Sequence, residues 1–496
     1  MNIADNLEKT SCYFPNHIAV IEGDRTITYS EFNQEASRVA SGLIASGGLR
    51  PGDHVAICAP NSYAWLAFYF GVLKAGAVVI TFSNHVKTEE FNKIISDCEP
   101  RIIFTTDDRI KDLGDRGSRP YLNLVICENG DISYNRLIEK GVFEFHAIDR
   151  NRKDIAAIIY TGGITGIAKG AMLSNENIQA SLFNVAYYER STKDDIVLCF
   201  MPLHHIFGQV HIMNATIFAG GGLVVQSGFD LEKALGATNR HQVTKFFGGP
   251  TTYFRLLGVE DIRGKMKSVR YCLSPASNMA LDIVKEWKSR TGMDIQESYG
   301  MTECSSIVAF NHYCRPVAGS VGTPVNMVEV QIRDYDGEAL KSGKAGEICI
   351  RGPNIFKGYL NNPEETNAAF WGDWFRSGDV GILNEEGYLF IMDRLKDMII
   401  SDGEHVYPRE VEEILYTRPE VQECAVIGLP DKEFGEKITA FIVPQRGRQI
   451  DPPSLQEYLI KRLPGFKVPR EFISVNDLPK TNSGKLLKRE LKRQYS

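Results

Sequence analysis

Short apolar runs alternate with stretches in which apolar residues recur every three or four positions through the first two-thirds of the chain. The runs at 55–58, 102–105, 124–127, 155–159, 222–225 and 245–247 predict buried strands. Trp65, Phe68, Tyr69 and Val72 share one helical face, Gly76 can end that helix, and Val78, Val79 and Ile80 then read as a strand. Residues 281–290, with Ile283, Val284 and Trp287 on one side, predict an intervening helix. This rhythm predicts an α/β fold of layered, mostly parallel sheets covered by helices.

The texture changes from about Glu347, where Gly, Asn and Asp crowd between short apolar runs, and a β-rich subdomain is expected. The final hundred residues have a pattern of their own. Helices are expected at 408–416 and 455–463, with strands at 424–427 and 438–443. Leu455, Tyr458 and Leu459 form the apolar stripe of the last helix, with Ser454 as its expected cap. A separate small α+β domain follows from this, joined by a short hinge because no low-complexity linker intervenes.

At 496 residues the chain is too long for one core. An apolar share of 43% and a charged share of 24% are ordinary for a globular protein, so only the charge balance narrows the class. A formal charge of -6 leaves no general footprint for nucleic acid or an anionic membrane. The ten cysteines are scattered with no C-x-x-C pair, which points away from zinc clusters and disulfide frameworks and toward a reducing cytoplasm. The first fifteen residues carry Asp5, Glu8 and Lys9 and lack a signal-peptide core, so a soluble cytoplasmic protein is expected.

Candidate chemistry starts at residues 160–170, Y-T-G-G-I-T-G-I-A-K-G, directly after a predicted strand. Glycines let backbone N–H groups approach an anion, the threonines add donors, and Lys169 supplies a charge. An ordinary glycine-rich turn has the same composition. Walker A spacing is absent, because Ile167 and Ala168 separate Gly166 from Lys169, and G-x-G-x-x-G is absent too. Residues 296–303, Q-E-S-Y-G-M-T-E, offer a carboxylate for a hard cation and a ring for stacking. Ser377-Gly378-Asp379 reads as a turn whose carboxylate suits a diol, and residues 393–397 form a charge cluster. The tail from Pro479 holds six Lys/Arg and one acidic residue. Taken singly, each is equally a cap, a solvated face or a helix terminus.

In this order, the T/G-rich loop, Y-G-M-T-E, S-G-D, D-R-x-K and P-K-T-x-S-G-K resemble the adenylate-forming superfamily of acyl-CoA synthetases, peptide-synthetase adenylation domains and beetle luciferases. Residues 27–32, 73–77 and 202–208 resemble it as well, so the likeness spans nearly the whole chain. It implies a large N-terminal domain, residues 1–395, and a small mobile C-terminal domain, residues 396–496, hinged at Lys396. It implies a ligase in two steps: a carboxylic acid attacks the α-phosphate of ATP, giving acyl-adenylate and pyrophosphate, and the thiol of coenzyme A then displaces AMP.

By the same resemblance Thr161, Gly162, Gly163, Thr165, Gly166 and Lys169 would cradle phosphates. Glu303 would hold Mg2+, with Thr302 beside it in the catalytic set. Glu297, Tyr299, Gly300 and Met301 would flank the nucleotide, while Asp379 and Arg394 would bind the ribose. Lys485 would bridge the acid and the α-phosphate, and His205 would contact the carboxylate. Swinging about Lys396 would withdraw Lys485 and bring in the loop containing Gly403 to shape a thiol tunnel. The partners implied are a small carboxylic acid and coenzyme A, with a homodimer left open.

The chain departs from the family pattern at Ile164, where a threonine is usual, and at Ala168, which replaces a proline. It also departs at residues 274–279, at Asp402 and at His405. Malonate-type ligases tend to carry arginine at the position of Ser298, so an uncharged fatty or aromatic monocarboxylate is expected. A stand-alone enzyme loading an acyl carrier protein, a light-emitting oxygenase and a non-catalytic nucleotide-binding homologue share these motifs. A hydrolase lacks its G-x-S-x-G elbow.

Overall fold

The computed structural model describes residues 1–161, 168–275, 281–311, 315–480 and 486–495. The apolar runs of the first half pair side by side as predicted. Ile102–Thr105 lies parallel between His54–Cys58 and Leu124–Ile126, and Val78–Thr81 and Ile155–Thr161 extend the same sheet. A sixth strand, Lys169–Ser174, closes it antiparallel to Ile155–Thr161. A second sheet has nine strands. Its six central members, from Ile295–Tyr299 across to Ile18–Glu22, are all parallel, with short antiparallel strands at both edges.

Strands buried on both faces read as continuous apolar runs, which is why they were legible. The helix Tyr63–Lys74 is buried at every position except Ala64, with Trp65, Phe68, Tyr69 and Phe70 fully inside the core that both sheets share. It packs on the helix Tyr29–Gly47, which starts in a capping box between Thr28 and Glu31 and stops at Gly48 with φ 60°. Gly71 permits the contact, because a Cβ there would lie 2.5 Å from that of Val39.

The β-rich segment begins earlier than its composition suggested. Glu329–Arg333, Ala345–Arg351, Trp374–Leu383, Phe370–Trp371 and Leu389–Arg394 form an antiparallel sheet. A 3-10 turn, Leu395–Asp397, leads from its last strand into the final sheet of Glu404–Val406, Ile399–Ser401, Gly435–Pro444 and Val421–Asp431, with Glu471–Ser474 added in parallel. That sheet has its own core, in which Val411 and Leu415 meet Val426, Ile438, Leu455 and Leu459.

The last predicted helix starts three residues early, at Pro452–Ile460. Asp451 occupies the cap position and Ser454 lies within the first turn, because two prolines pre-set the helical φ there. Among the described residues, no helix is long and apolar enough to cross a membrane.

Candidate active site

The loop at 160–170 is the tip of a β-hairpin. Thr161 pairs with Lys169 and Tyr160 with Gly170, so the glycines follow one strand and precede another. The strand Lys169–Ser174 comes next, and Ser174 caps the helix Asn175–Tyr188 through a reciprocal bond with Asn177. The helix therefore does not follow the loop directly. Gly162, Gly163, Ile164, Thr165 and Gly166 lie outside the described residues.

Lys169 is held at the hairpin's second base. Its Nζ lies 2.5 Å from Glu365 Oε2 and 5.2 Å from the centre of the Tyr359 ring. The Tyr359 hydroxyl donates to Glu303 Oε1 at 2.8 Å. Lys169 and Glu303 thus share one aromatic side chain, although 134 residues of sequence separate them. Ala168 and Lys169 also line a cavity of about 490 Å³ with Lys87, Asp97, Tyr160 and Glu365.

Q-E-S-Y-G-M-T-E starts on the parallel strand Ile295–Tyr299 and leaves its carboxyl end, where α/β sheets place ligands. Gly300 is required by packing, since a Cβ there would lie 1.7 Å from the Ser306 carbonyl oxygen. Met301 is half-buried, and Thr302 is buried in the 3-10 turn Thr302–Cys304. Glu297 faces Arg409 and Glu413 of the helix Pro408–Tyr416. Burial pushes its carboxyl up to about 7, with Arg409 opposing and Glu413 adding to the rise.

Ser377-Gly378-Asp379 is a bulge within the strand Trp374–Leu383, not the turn expected from composition. Glu347 pairs with Val380 and Cys349 with Arg376, so two residues on one strand span four on the other, and Gly378 takes φ 69°. Asp379 is the cross-strand partner of Arg394, with Nε 3.4 Å from Oδ1, and it accepts the buried Tyr299 hydroxyl at 2.7 Å through Oδ2. Burial, Asp379 and that hydrogen bond hold the Tyr299 phenol well above its ordinary range.

His205 is exposed at the head of a wide-turn helix, Phe207–Asn214, and its Nδ1 accepts from the Phe207 N–H at 3.2 Å. That bond leaves the proton on Nε2 in the neutral ring, pointing to a donor role there. His204 is lowered to about 3 by burial and by His205 and His85, so it is neutral at working pH. His211 Nε2 lies 2.6 Å from Glu189 Oε1.

Lys396 sits in the 3-10 turn between two sheets, held below the ordinary lysine range by burial, with Asp397 opposing that shift. Asp402 and Gly403 have φ 54° and 77° and close a two-residue hairpin between Ile399–Ser401 and Glu404–Val406. The departure at Asp402 therefore fits a primed turn, in which Asp-Gly is favoured. His405 packs on Tyr335 at 5.7 Å between ring centres. Ala276, Ser277, Asn278 and Met279 of the expected acid pocket, and residues 481–485 with Lys485, lie outside the described residues.

Among the described residues, no three His, Cys, Asp or Glu side chains gather to hold a metal. The single carboxylate of Glu303, oriented by Tyr359, suits Mg2+, which characteristically takes one or two carboxylates together with substrate phosphates and water.

The model of the AMP-binding enzyme family matches residues 7–360, and that of the AMP-binding enzyme C-terminal domain matches residues 410–485. The chain belongs to the AMP-binding enzyme family. Within it, the acyl-CoA synthetase branch holds its relatives. The chain is 33% identical to a feruloyl-CoA synthase of Amycolatopsis sp over 491 residues, covering 97% of this chain and 96% of the relative. It is 30% identical to a long-chain-fatty-acid–CoA ligase of Bacillus subtilis over 523 residues, covering 98% and 93%. The fold of this AMP-binding enzyme is similar to that of ATP-bound MatB from Rhodopseudomonas palustris, with a TM-score of 0.94 and 33% identity over 100% of this chain and 99% of that one. It is an AMP-forming acid–CoA ligase, with ATP and coenzyme A as co-substrates.

Proposed function

We propose that this ligase activates a compact aromatic monocarboxylate. The observation that carries the reading is a cluster of rings, with Phe207 on the wide-turn helix and Phe247 and Tyr271 on two adjacent strands. Phe207 meets Phe247 edge-on at 5.9 Å, and Phe247 meets Tyr271 at 6.1 Å. Rings packed this way suit a flat aromatic acid better than a long alkyl chain. The likeness to the feruloyl-CoA synthase supports the same class. A fatty acid is the second reading, favoured by the likeness to the long-chain ligase.

In the proposed reaction the His205 Nε2–H orients the acid's carboxylate, whose oxygen attacks the α-phosphorus as pyrophosphate leaves. Thr161, Lys169 and the loop between them hold the outgoing phosphates, and Glu303 is the residue that would hold Mg2+, which supplies charge neutralisation on them. Asp379, braced by Tyr299 and Arg394, accepts hydrogen bonds from the ribose hydroxyls. Lys485 neutralises charge developing at the α-phosphate. The proposed domains are residues 1–395 and 396–496, turning about Lys396. The position of the Leu395–Asp397 turn between the last two sheets supports this division. Turning there replaces Lys485 with the Asp402-Gly403 hairpin beside the thiol path.

Pyrophosphate release measured across fatty, cyclic and aromatic acids, with coenzyme A added separately, tests the reading. Preference for an aryl acid supports it, and preference for long alkanoates overturns it.

A further inference from the structure

The bulge at Ser377-Gly378-Asp379 interrupts the ladder with Ala345–Arg351, and side chains take up two backbone N–H groups there. The Asp379 N–H donates to Ser377 Oγ at 3.1 Å, and the Gly378 N–H donates to Glu347 Oε1 at 3.2 Å. Glu347 stands at the break in register and is only 6% exposed. Its second oxygen, Oε2, accepts from Arg376 Nε at 3.1 Å and from Arg376 Nη2 at 3.0 Å. The Arg376 guanidinium lies in turn 4.1 Å from the centre of the Trp371 ring.

One buried carboxylate therefore holds both the residue just before the bulge and the middle residue of the bulge. Hydrogen bonds to an ionised acceptor are stronger than neutral ones, and a buried carboxylate is stable only where a cation and donors satisfy it. Gly378 takes φ 69°, so the chain passes through the left-handed region at the amide that Glu347 grips. Successive strand residues face opposite sides of the sheet. A bulge that slid by one residue would turn Asp379 away from the Tyr299 hydroxyl and from Arg394. Tyr299 and Arg394 brace the carboxylate itself, whereas Glu347 fixes the backbone from which it projects.

We propose that Glu347 is a positioning residue for the nucleotide, placing Asp379 where its carboxylate meets the ribose hydroxyls. By gripping Gly378 and Arg376 together, it governs how strongly the enzyme discriminates ATP from a nucleotide lacking those hydroxyls. The inference rests on the ribose role proposed above for Asp379. A cross-strand ion pair serving stability alone would leave that discrimination untouched.

The test measures pyrophosphate release with ATP and with 2′,3′-dideoxy-ATP, the fastest acid of the panel being held at saturation. The wild-type kcat/KM should favour ATP by about 10–100-fold, the range of hydrogen bonds to a charged acceptor. Glu347→Met keeps the length of the buried side chain but removes both acceptor oxygens. Its ratio should fall to within about threefold of unity, through a raised KM for ATP. The double variant Glu347→Met, Arg376→Met removes both charges of the pair, which guards against a folding defect, and should lose the ratio equally. Both rates come from one preparation, so partial unfolding cancels. A ratio kept at the wild-type value in either variant overturns the Glu347 assignment alone. A wild-type ratio near unity overturns the ribose role of Asp379 and this inference together.

Discussion

The Tyr299 hydroxyl donates to Asp379 Oδ2 at 2.7 Å, tying the end of a parallel strand to a bulge 80 residues away in another sheet. Tyr299→Phe removes that donor while keeping the buried ring. The KM for ATP should rise about tenfold, equivalent to roughly 1.4 kcal/mol, with a smaller change in kcat. An unchanged KM for ATP in pyrophosphate-release assays would show that Asp379 does not depend on Tyr299 for its position.

Lys485→Ala should abolish adenylation yet spare thioester formation from supplied acyl-adenylate. Measuring the two half-reactions separately decides the matter, since equal loss in both removes Lys485 from the first step.

The loop position Ile164 gives a complementary expectation. Ile164→Thr adds a hydroxyl donor where phosphate-binding loops of this family often have one, so adenylation should be preserved or improved. A large drop in pyrophosphate release would mean that the loop is built around the isoleucine.

Gly403 has φ 77° in the two-residue hairpin, where a β-branched side chain is strained. Gly403→Val should slow transfer to coenzyme A at least tenfold, about 1.4 kcal/mol in barrier, and affect acid-dependent pyrophosphate release much less. Comparable losses in both half-reactions would detach this hairpin from the thiol step.

Glu297 makes stability depend on pH in a defined direction. Its folded carboxyl lies near 7, above the value for an exposed glutamate, so the native state binds the extra proton between about 4.5 and 7. Stability from this group is present below that window and lost as pH rises through it. Glu297→Gln, which resembles the protonated acid, should match wild type in thermal unfolding near pH 5. At pH 8 it should be more stable, by no more than roughly 3 kcal/mol. A variant less stable at pH 8 would show that Arg409 more than compensates the buried charge.

The strands of the two large sheets were legible because runs such as Ile102–Thr105 are apolar on both faces, and the motif order identified the family. The hairpin after the glycine loop was not legible. Lys169–Ser174 is too short to show a period, and the helix behind it gives the louder signal. Ser377-Gly378-Asp379 has turn composition whether it turns a corner or swells a strand, and only the pairing across Glu347 and Cys349 distinguishes the two. A buried network of Glu189, His211 and Lys245 was missed as well. Its members lie up to 56 residues apart on three elements, and nothing local marks a buried charge that will be balanced from elsewhere.

Arg394, which braces Asp379, is the last residue of its strand, and Lys396 lies two positions on. The proposed clasp on the ribose and the proposed joint of the small domain are therefore neighbouring links in one short lever. A nucleotide pulling on Asp379 loads that lever at its root, so the posture of the last hundred residues should register whether the cradle is full before either chemical step begins.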